Sequence, residues 1–223
     1  MSGVSSHPRF GDLPRTLPVF PLAGVLLLPR GRLPLNVFEP RYLNLVADAL
    51  GEGRMFGMIQ PVDPDAEGDG DEDEPPALYR MGCTGRITSF AETDDGRLLI
   101  TLTGLCRFRV LQEVEPLRGY RRLVVDYDPF RADLDEGEPA VVDRARLLAA
   151  LKPYFKLEGL QLDWDAVDAA PDEALITALA MLCPFDPREK QALLEASTVT
   201  ARCDMMTALL EMAVLQGGGS TRQ

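Results

Sequence analysis

Between Met81 and Tyr127 the chain alternates apolar and polar residues with a period of two, the signature of strands that bury one face. Met81, Cys83, Ile87 and Ala91 share one face of a long strand, and Leu98, Ile100 and Leu102 share one face of the next. Asp94-Asp95-Gly96 lies between them. An Asp-Gly pair flanked by alternating strands predicts a hairpin, because the central residues of the turn must accept positive φ. Cys106, Phe108 and Val110 then alternate with Arg107 and Arg109, and Leu123, Val125 and Tyr127 alternate with Arg122, Val124 and Asp126. Upstream, MFGMIQP from Met55 reads as a further strand. Strands in such a series predict a curled antiparallel sheet or small barrel. One helix interrupts them: Pro40 suits its first turn, Tyr42, Val46, Ala49 and Leu50 share a face, and Gly51 and Gly53 offer its stop.

Downstream of residue 138 the period becomes helical. Pro139 opens a helix with apolar positions Val142, Ala145, Leu148 and Leu151, and Pro153 is expected to kink or end it. Pro171 opens a second helix. Asp186-Pro187-Arg188-Glu189 has the form of a capping box ahead of Leu193 and Leu194. Val199, Cys203, Met206, Leu210 and Ala213 form the stripe of a last helix, read as bundle core, which Gly217-Gly218-Gly219 ends in a flexible tail. Trp164, the only tryptophan, is expected to anchor the junction between sheet and helices.

Charge and motifs narrow the chemistry. With 223 residues, 46% of them hydrophobic, the chain can bury a sizeable core, and its net charge of -12 disfavours non-specific binding to nucleic acid or anionic membrane. The N-terminus has no apolar core of a secretory signal and the run Val25 to Leu28 is far below a membrane span, so a cytoplasmic protein is expected. Cys83, Cys106, Cys183 and Cys203 have no C-x-x-C spacing and the one histidine is His7, so no metal or cofactor is expected and the thiols read as small core residues. The acidic segment from Asp63 to Pro76 places Asp63, Asp65, Glu67, Gly68, Asp69, Asp71 and Glu74 at calcium-loop offsets. A strand before it, Pro75-Pro76 after it and Gly70 at the apolar position favour a solvated insertion instead. No G-x-x-x-x-G-K-[ST] occurs, the only lysines are Lys152, Lys156 and Lys190, and neither H-E-x-x-H nor G-x-S-x-G is present. Catalysis is not expected.

Two blocks carry a family resemblance. LPVFPLAGVLLLPRGRLPLNVFEPRYLNLV, Leu17 to Val46, resembles the opening of the Lon protease N-terminal domain, and ALAMLCPFDPREKQALLEASTVTARCDMMTALLEM, Ala178 to Met212, resembles its end. The resemblance implies an α+β fold. A PUA-like antiparallel β-barrel or curled sheet over residues 10–130, with the acidic loop at 63–76, would precede an α-helical bundle over 138–216 and a tail over 217–223. It also implies a non-catalytic substrate-binding module that recognises unfolded or degron-bearing polypeptides, or adapts them to a protease made elsewhere. Because the chain stops at Gln223, it is expected to be a bacterial-type member standing alone, without the ATPase and peptidase. The alternative is a PUA-like domain for a small ligand or RNA. Phe38-Glu39-Pro40-Arg41-Tyr42 and Gly104, Arg107 and Phe108 match family motifs. Their functional reading puts Arg41, Tyr42 and Arg107 against a polypeptide partner, on the β-domain and its seam with the helices. Their structural reading makes Glu39 a helix cap, Arg41 a surface residue or its ion-pair partner, and Tyr42 and Phe108 core.

Overall fold

The computed structural model describes residues 8–63, 76–135 and 140–219. Contacts divide the chain into two compact units, Met1–Gly137 and Glu138–Gln223. The first holds strands β1 (Thr16–Pro21), β2 (Arg32–Val37), β3 (Met55–Ile59), β4 (Met81–Glu92), β5 (Leu98–Leu117) and β6 (Tyr120–Asp126), with helix α1 (Pro40–Gly51) and short 3-10 helices η1 (Phe10–Asp12) and η2 (Asp128–Leu134). Their order is β2-β5-β4-β3-β1-β6, and a further β5–β6 pairing closes the sheet on itself. Closure hides edges that would otherwise present unpaired backbone groups.

The sheet is mixed rather than antiparallel. Val19 to Pro21 of β1 run parallel to Gly57 to Ile59 of β3. A parallel pair needs a long crossover, here through β2 and α1, and the period of two carries no sign of strand direction. The predicted hairpin joins β4 to β5: Gly96 has φ 79° and Thr93 N–H donates to Arg97 O at 2.9 Å. A second hairpin, β5 to β6, turns at Arg118 (φ 50°) and Gly119 (φ 90°). Two register shifts in β4–β5, at Thr84/Gly85 and Ile87/Ser89, break the single face expected for Met81 to Ala91, so Cys83 and Ile87 are buried while Ala91 is exposed. The prolines of β1 and β2 do not prevent pairing. Pro34 is on β2, which pairs only with β5, and Pro18 lies one residue before the β1–β3 ladder begins.

The barrel core is Leu13, Leu17, Val19, Ile59, Leu105, Cys106, Phe108, Leu123, Val125, Tyr127 and Phe130. α1 buries Tyr42, Leu45, Val46 and Ala49 beside β1, β3 and β6, with Tyr42 stacked on Phe20 at 3.8 Å between ring centroids. Glu39 stands at the N-cap of α1 without a capping side-chain bond and pairs with Arg41 instead.

The helical unit comprises α2 (Arg144–Leu157), α3 (Trp164–Ala169), α4 (Asp172–Leu182), α5 (Pro187–Glu195) and α6 (Val199–Gly219). Pro139 lies outside the described residues; α2 begins after Asp143, whose carboxylate accepts the Arg146 N–H at 3.0 Å. Pro153 neither ends α2 nor lies at its limit, because it and Ala149 are exposed and the carbonyl it orphans faces water. The capping box forms as its spacing predicts: Asp186 accepts from Glu189 N–H at 2.8 Å and Glu189 accepts from Asp186 N–H at 2.9 Å. Cys203, Met206 and Leu210 are core. α6 continues through Gly217 to Gly219, where the sequence suggested a tail. A Cβ at Gly217 would lie 2.6 Å from the Leu157 side chain, so a larger residue would displace that side chain. Trp164 is half-buried, with the Lys152 ammonium 5.4 Å from its ring centroid, so the partner it shows belongs to its own unit. Residues 64–75, 220–223 and His7 lie outside the described residues, and with them most of the acidic loop.

Gly104 and Gly96 separate two reasons for glycine. At Gly104 a Cβ would stand 1.9 Å from Leu28 O, inside a backbone clasp in which Gly104 donates to Gly31 O and Arg30 donates to Gly104 O, both at 2.8 Å. Gly96 has open space but positive φ. Gly104→Ala should lower unfolding free energy by about 3 kcal/mol or more, and Gly96→Ala by about 1–2 kcal/mol, in urea titrations. Equal losses would show that the clasp relaxes freely.

Candidate functional site

A well-defined concavity of the β-unit is built around the end of β6. Leu13 is buried, Pro14 O accepts the Tyr127 hydroxyl at 3.2 Å, and Arg15 O accepts Val125 N–H at 3.0 Å, so the segment entering β1 is sewn beside β6. Thr84 lies 3.0 Å from the same hydroxyl and, since Tyr127 donates to Pro14, acts as its donor. Burial raises the ionisation of Tyr127 far above the ordinary phenol range, which keeps this anchor neutral. On the other side, the register shift between Val110 and Gln112 makes Leu111 a bulge residue and leaves its side chain 56% exposed. Asp126 accepts Asp128 N–H at 2.9 Å and so bends the chain from β6 into η2.

These elements enclose an open groove of about 500 Å³. Its floor is Leu13, Val125 and Tyr127; Phe10 forms a wall, with the Arg131 guanidinium 3.8 Å from its ring centroid and bonded to Asp128 at 2.7 and 3.0 Å. Arg15 and Leu111 stand on the lining as well, and the Arg15 side chain has no hydrogen bond or ion pair among the described residues. Two arginines face two aspartates, so the groove is close to neutral although the chain carries -12. It combines aromatic and aliphatic surface with a few polar groups, and its lining contains no Ser, Cys, His or Lys to form a nucleophile–base pair. Among the described residues no group of three His, Cys, Asp or Glu could hold a metal ion, and no helix is long and apolar enough to cross a membrane.

The structure does not bring Arg41, Tyr42 and Arg107 into one site. Arg41 is half-exposed at the start of α1, paired with Glu39 at 2.9 Å and lying 4.7 Å from the Tyr42 ring centroid, while Tyr42 is core. The hollow beside them, lined also by Gly119, Tyr120 and Arg121, is only about 40 Å³. Arg107, expected on a face open to partners, is 7% exposed and gripped by Asp133: its N–H and Nε donate to Oδ2 at 3.0 and 2.9 Å and Nη2 donates to Oδ1 at 2.8 Å. The alternation rule placed it opposite Phe108 correctly but could not show that η2 folds back over that face. Phe10, Arg15, Leu111 and Arg131 were not singled out in the sequence. Asp126-Tyr127-Asp128-Pro129 carries the turn signal that could have marked the groove, whereas a bulge at Leu111 leaves no mark in a one-strand pattern.

Comparison with known proteins gives one family. The chain matches the family model of the ATP-dependent protease La (LON) substrate-binding domain over residues 16–212. A Lon protease of Dictyoglomus thermophilum is 27% identical over 210 residues, 92% of this chain and 26% of that protein. Lon protease 2 of Myxococcus xanthus is 28% identical over 204 residues, 89% of this chain and 24% of that protein. The chain thus spans about a quarter of the length of these relatives. Among solved structures, a Lon N-terminal domain protein from Xanthomonas campestris aligns with a TM-score of 0.58 at 26% identity, covering 86% of this chain and 97% of that one. The N-terminal domain of a Mycobacterium avium complex Lon protease aligns with a TM-score of 0.57 at 16% identity, a likeness of fold alone.

The two arginines should respond oppositely to truncation. Arg107→Ala leaves Asp133 buried without its partner and should cost about 3–5 kcal/mol. Arg41→Ala removes an exposed pair and should stay within about 0.5 kcal/mol; urea titration of both variants checks this.

The thiols give a pH dependence. Burial pushes Cys106 and Cys183 from 9.0 up to about 12, and raises Cys83 as well. The folded chain therefore keeps protons that the unfolded chain releases above 9.0, so this stability is complete below that pH and is lost as pH rises toward about 12. The urea midpoint should fall between about pH 8 and about pH 10.5, and native thiols should resist a disulfide reagent at about pH 8.

Proposed function

Because the chain belongs to the family of the ATP-dependent protease La (LON) substrate-binding domain, we propose that it is a non-catalytic polypeptide-binding module of Lon-type proteolysis that captures unfolded or degron-bearing chains. The observation that carries the reading is the groove between η1, the end of β6 and the bulge of β5. An extended polypeptide exposes side chains and a polar backbone together, and the groove offers matching surfaces. Phe10, Leu111 and the floor take an apolar side chain, while Arg15, Arg131, Asp126 and Asp128 supply polar partners of both signs. A folded surface holds its backbone polar groups in secondary structure and so does not present them together with an apolar side chain. In a protease system the module presents polypeptide to a peptidase supplied elsewhere, in the same polypeptide or another. The neutral groove and the charge of -12 give no footing for RNA.

Fluorescence anisotropy with a labelled, permanently unfolded polypeptide tests the reading. Leu111→Glu and Arg131→Ala should each weaken binding about tenfold, equivalent to about 1.4 kcal/mol, with little change in stability because both side chains are exposed. Arg41→Ala should bind as the native chain does. Loss of affinity in Arg41→Ala, with both groove variants unaffected, would move the site to α1.

A further inference from the structure

We infer that α6 carries a second interaction surface, a seam that pairs in parallel with α6 of a second copy of this chain, whatever the groove of the β-unit takes. α6 is 21 residues long, and its only charged residues are Arg202, Asp204 and Glu211. A helix that is apolar nearly all round is normally buried on every side. One face obeys this: Cys203, Met206, Thr207 and Leu210 are buried where α6 meets the other helices of its unit. The opposite face does not. Met205, Met212 and Leu215 are 36%, 47% and 76% exposed, and Ala208 between them is exposed as well. Their spacing of three, four and three residues is that of heptad positions, with Met205 and Met212 at a and Ala208 and Leu215 at d. The stripe therefore has the pattern of a seam for one more helix.

The flanks of the stripe identify that helix. Asp204 and Glu211 hold the g positions on one side, and Leu209 and Gln216 hold the e positions on the other. In a parallel pair each g residue meets the e residue five places further along the second helix. Asp204 then faces Leu209 of the second copy and Glu211 faces Gln216, a carboxylate opposite an amide donor, and no acid faces an acid. Arg146 of α2 donates to Glu211 at 2.8 and 3.0 Å and so holds this carboxylate at the flank. Met205, Ala208, Met212 and Leu215 each meet their own counterpart, as a two-fold contact requires, and the small Ala208 lets the backbones approach. The antiparallel arrangement that also matches the layers, Met205 to Leu215 and Ala208 to Met212, sets the two Arg146–Glu211 pairs on one flank, like against like. α6 is already held helical by its own unit, so pairing requires no further helix ordering. From Met205 to Leu215 the seam is only about 15 Å long. Such a contact falls short of the roughly 1,200–2,000 Å² of stable interfaces, so the dimer is weak and half-formed at on the order of 100 μM.

Sedimentation velocity of the full chain from about 5 μM to about 1 mM should show a reversible monomer–dimer equilibrium across that range. Met212→Lys sets two ammonium groups against each other at an a layer and should raise the dimer dissociation constant at least about tenfold. Its urea midpoint should match that of the native chain, because Met212 is exposed. Ala208→Cys tests the direction of pairing. In a parallel seam this thiol meets its own counterpart, so mild oxidation of Ala208→Cys alone should give a disulfide-linked dimer. The native cysteines are buried and do not compete. A native chain that stays monomeric at about 1 mM, or a dimer that Met212→Lys leaves intact, overturns the inference. Cross-linking that needs a mixture of Ala208→Cys and Met212→Cys chains shows the antiparallel pair and overturns the parallel seam. Slow alkylation of Met212→Cys in dilute, monomeric protein would show that another part of the same chain covers the stripe, and it too overturns the inference.

Discussion

One strand holds the β-unit together. β5 runs for 20 residues and pairs with β2 and β4 along its first half and with β6 along its second, so every route around the barrel passes through it. A strand of that length cannot stay straight under the normal twist of a sheet, and the register shifts opposite it absorb the curvature. The clasp at Gly104 is the tightest of these adjustments, since Leu28 O occupies the space of a missing side chain. The consequences spread outward. The bulge that lets β5 follow β6 also swings Leu111 to the groove, and the stretch just past Gly104 carries Arg107 into the interior.

A buried ion pair gains little over an apolar contact of the same shape, because two charges must leave water before they attract each other. Arg107–Asp133 is accordingly poor evidence of stability and good evidence of specificity. Phe130 alone would hold η2 to the barrel without fixing its rotation. The bidentate fork, with the Arg107 N–H bonded to the same carboxylate, admits one orientation. That orientation faces Arg131 toward Phe10 and forms the groove wall. Geometry at the groove is thus set from inside the core, by residues that do not line it.

Much of the fold was legible before any coordinate. Alternation identified the strands around Cys83, Ile100, Phe108 and Leu123, Asp95-Gly96 identified their turn, and the Asp186–Glu189 spacing identified a helix start, because each of these signals is local and concerns one element's own backbone. The parallel β1–β3 pair, the closure by β6 and the burial of Arg107 depend on which elements meet, and a one-dimensional period does not encode that. Pro153 shows the same limit from the other side: its local rule holds, yet exposure lets water take the carbonyl that the rule leaves orphaned. The site was less legible than the fold for the same reason. Arg41 and Tyr42 stood out because Pro40 makes a visible junction, whereas the groove is assembled from Phe10, Leu111 and Arg131, which are more than a hundred residues apart at their extremes and join no common motif.

If the groove takes polypeptide as proposed, its shallow, neutral form suits partners that share a state rather than a sequence. Deep pockets with strict polar partners discriminate by penalising the wrong group, and they would reject most unfolded chains. Here Arg131 is already satisfied by Asp128 and stacked on Phe10, so a partner that offers it nothing leaves no buried charge stranded. Selection falls instead on access: the incoming chain must present a side chain on an extended backbone, and ordering that backbone costs about 1–2 kcal/mol per residue. Only a short stretch could be ordered against about 500 Å³ of groove, which would keep single-site affinity low and capture reversible. On that reading longer residence would require repeated contacts by one chain, which would retain an unfolded polypeptide with several exposed apolar residues and release a folded protein with one loose end.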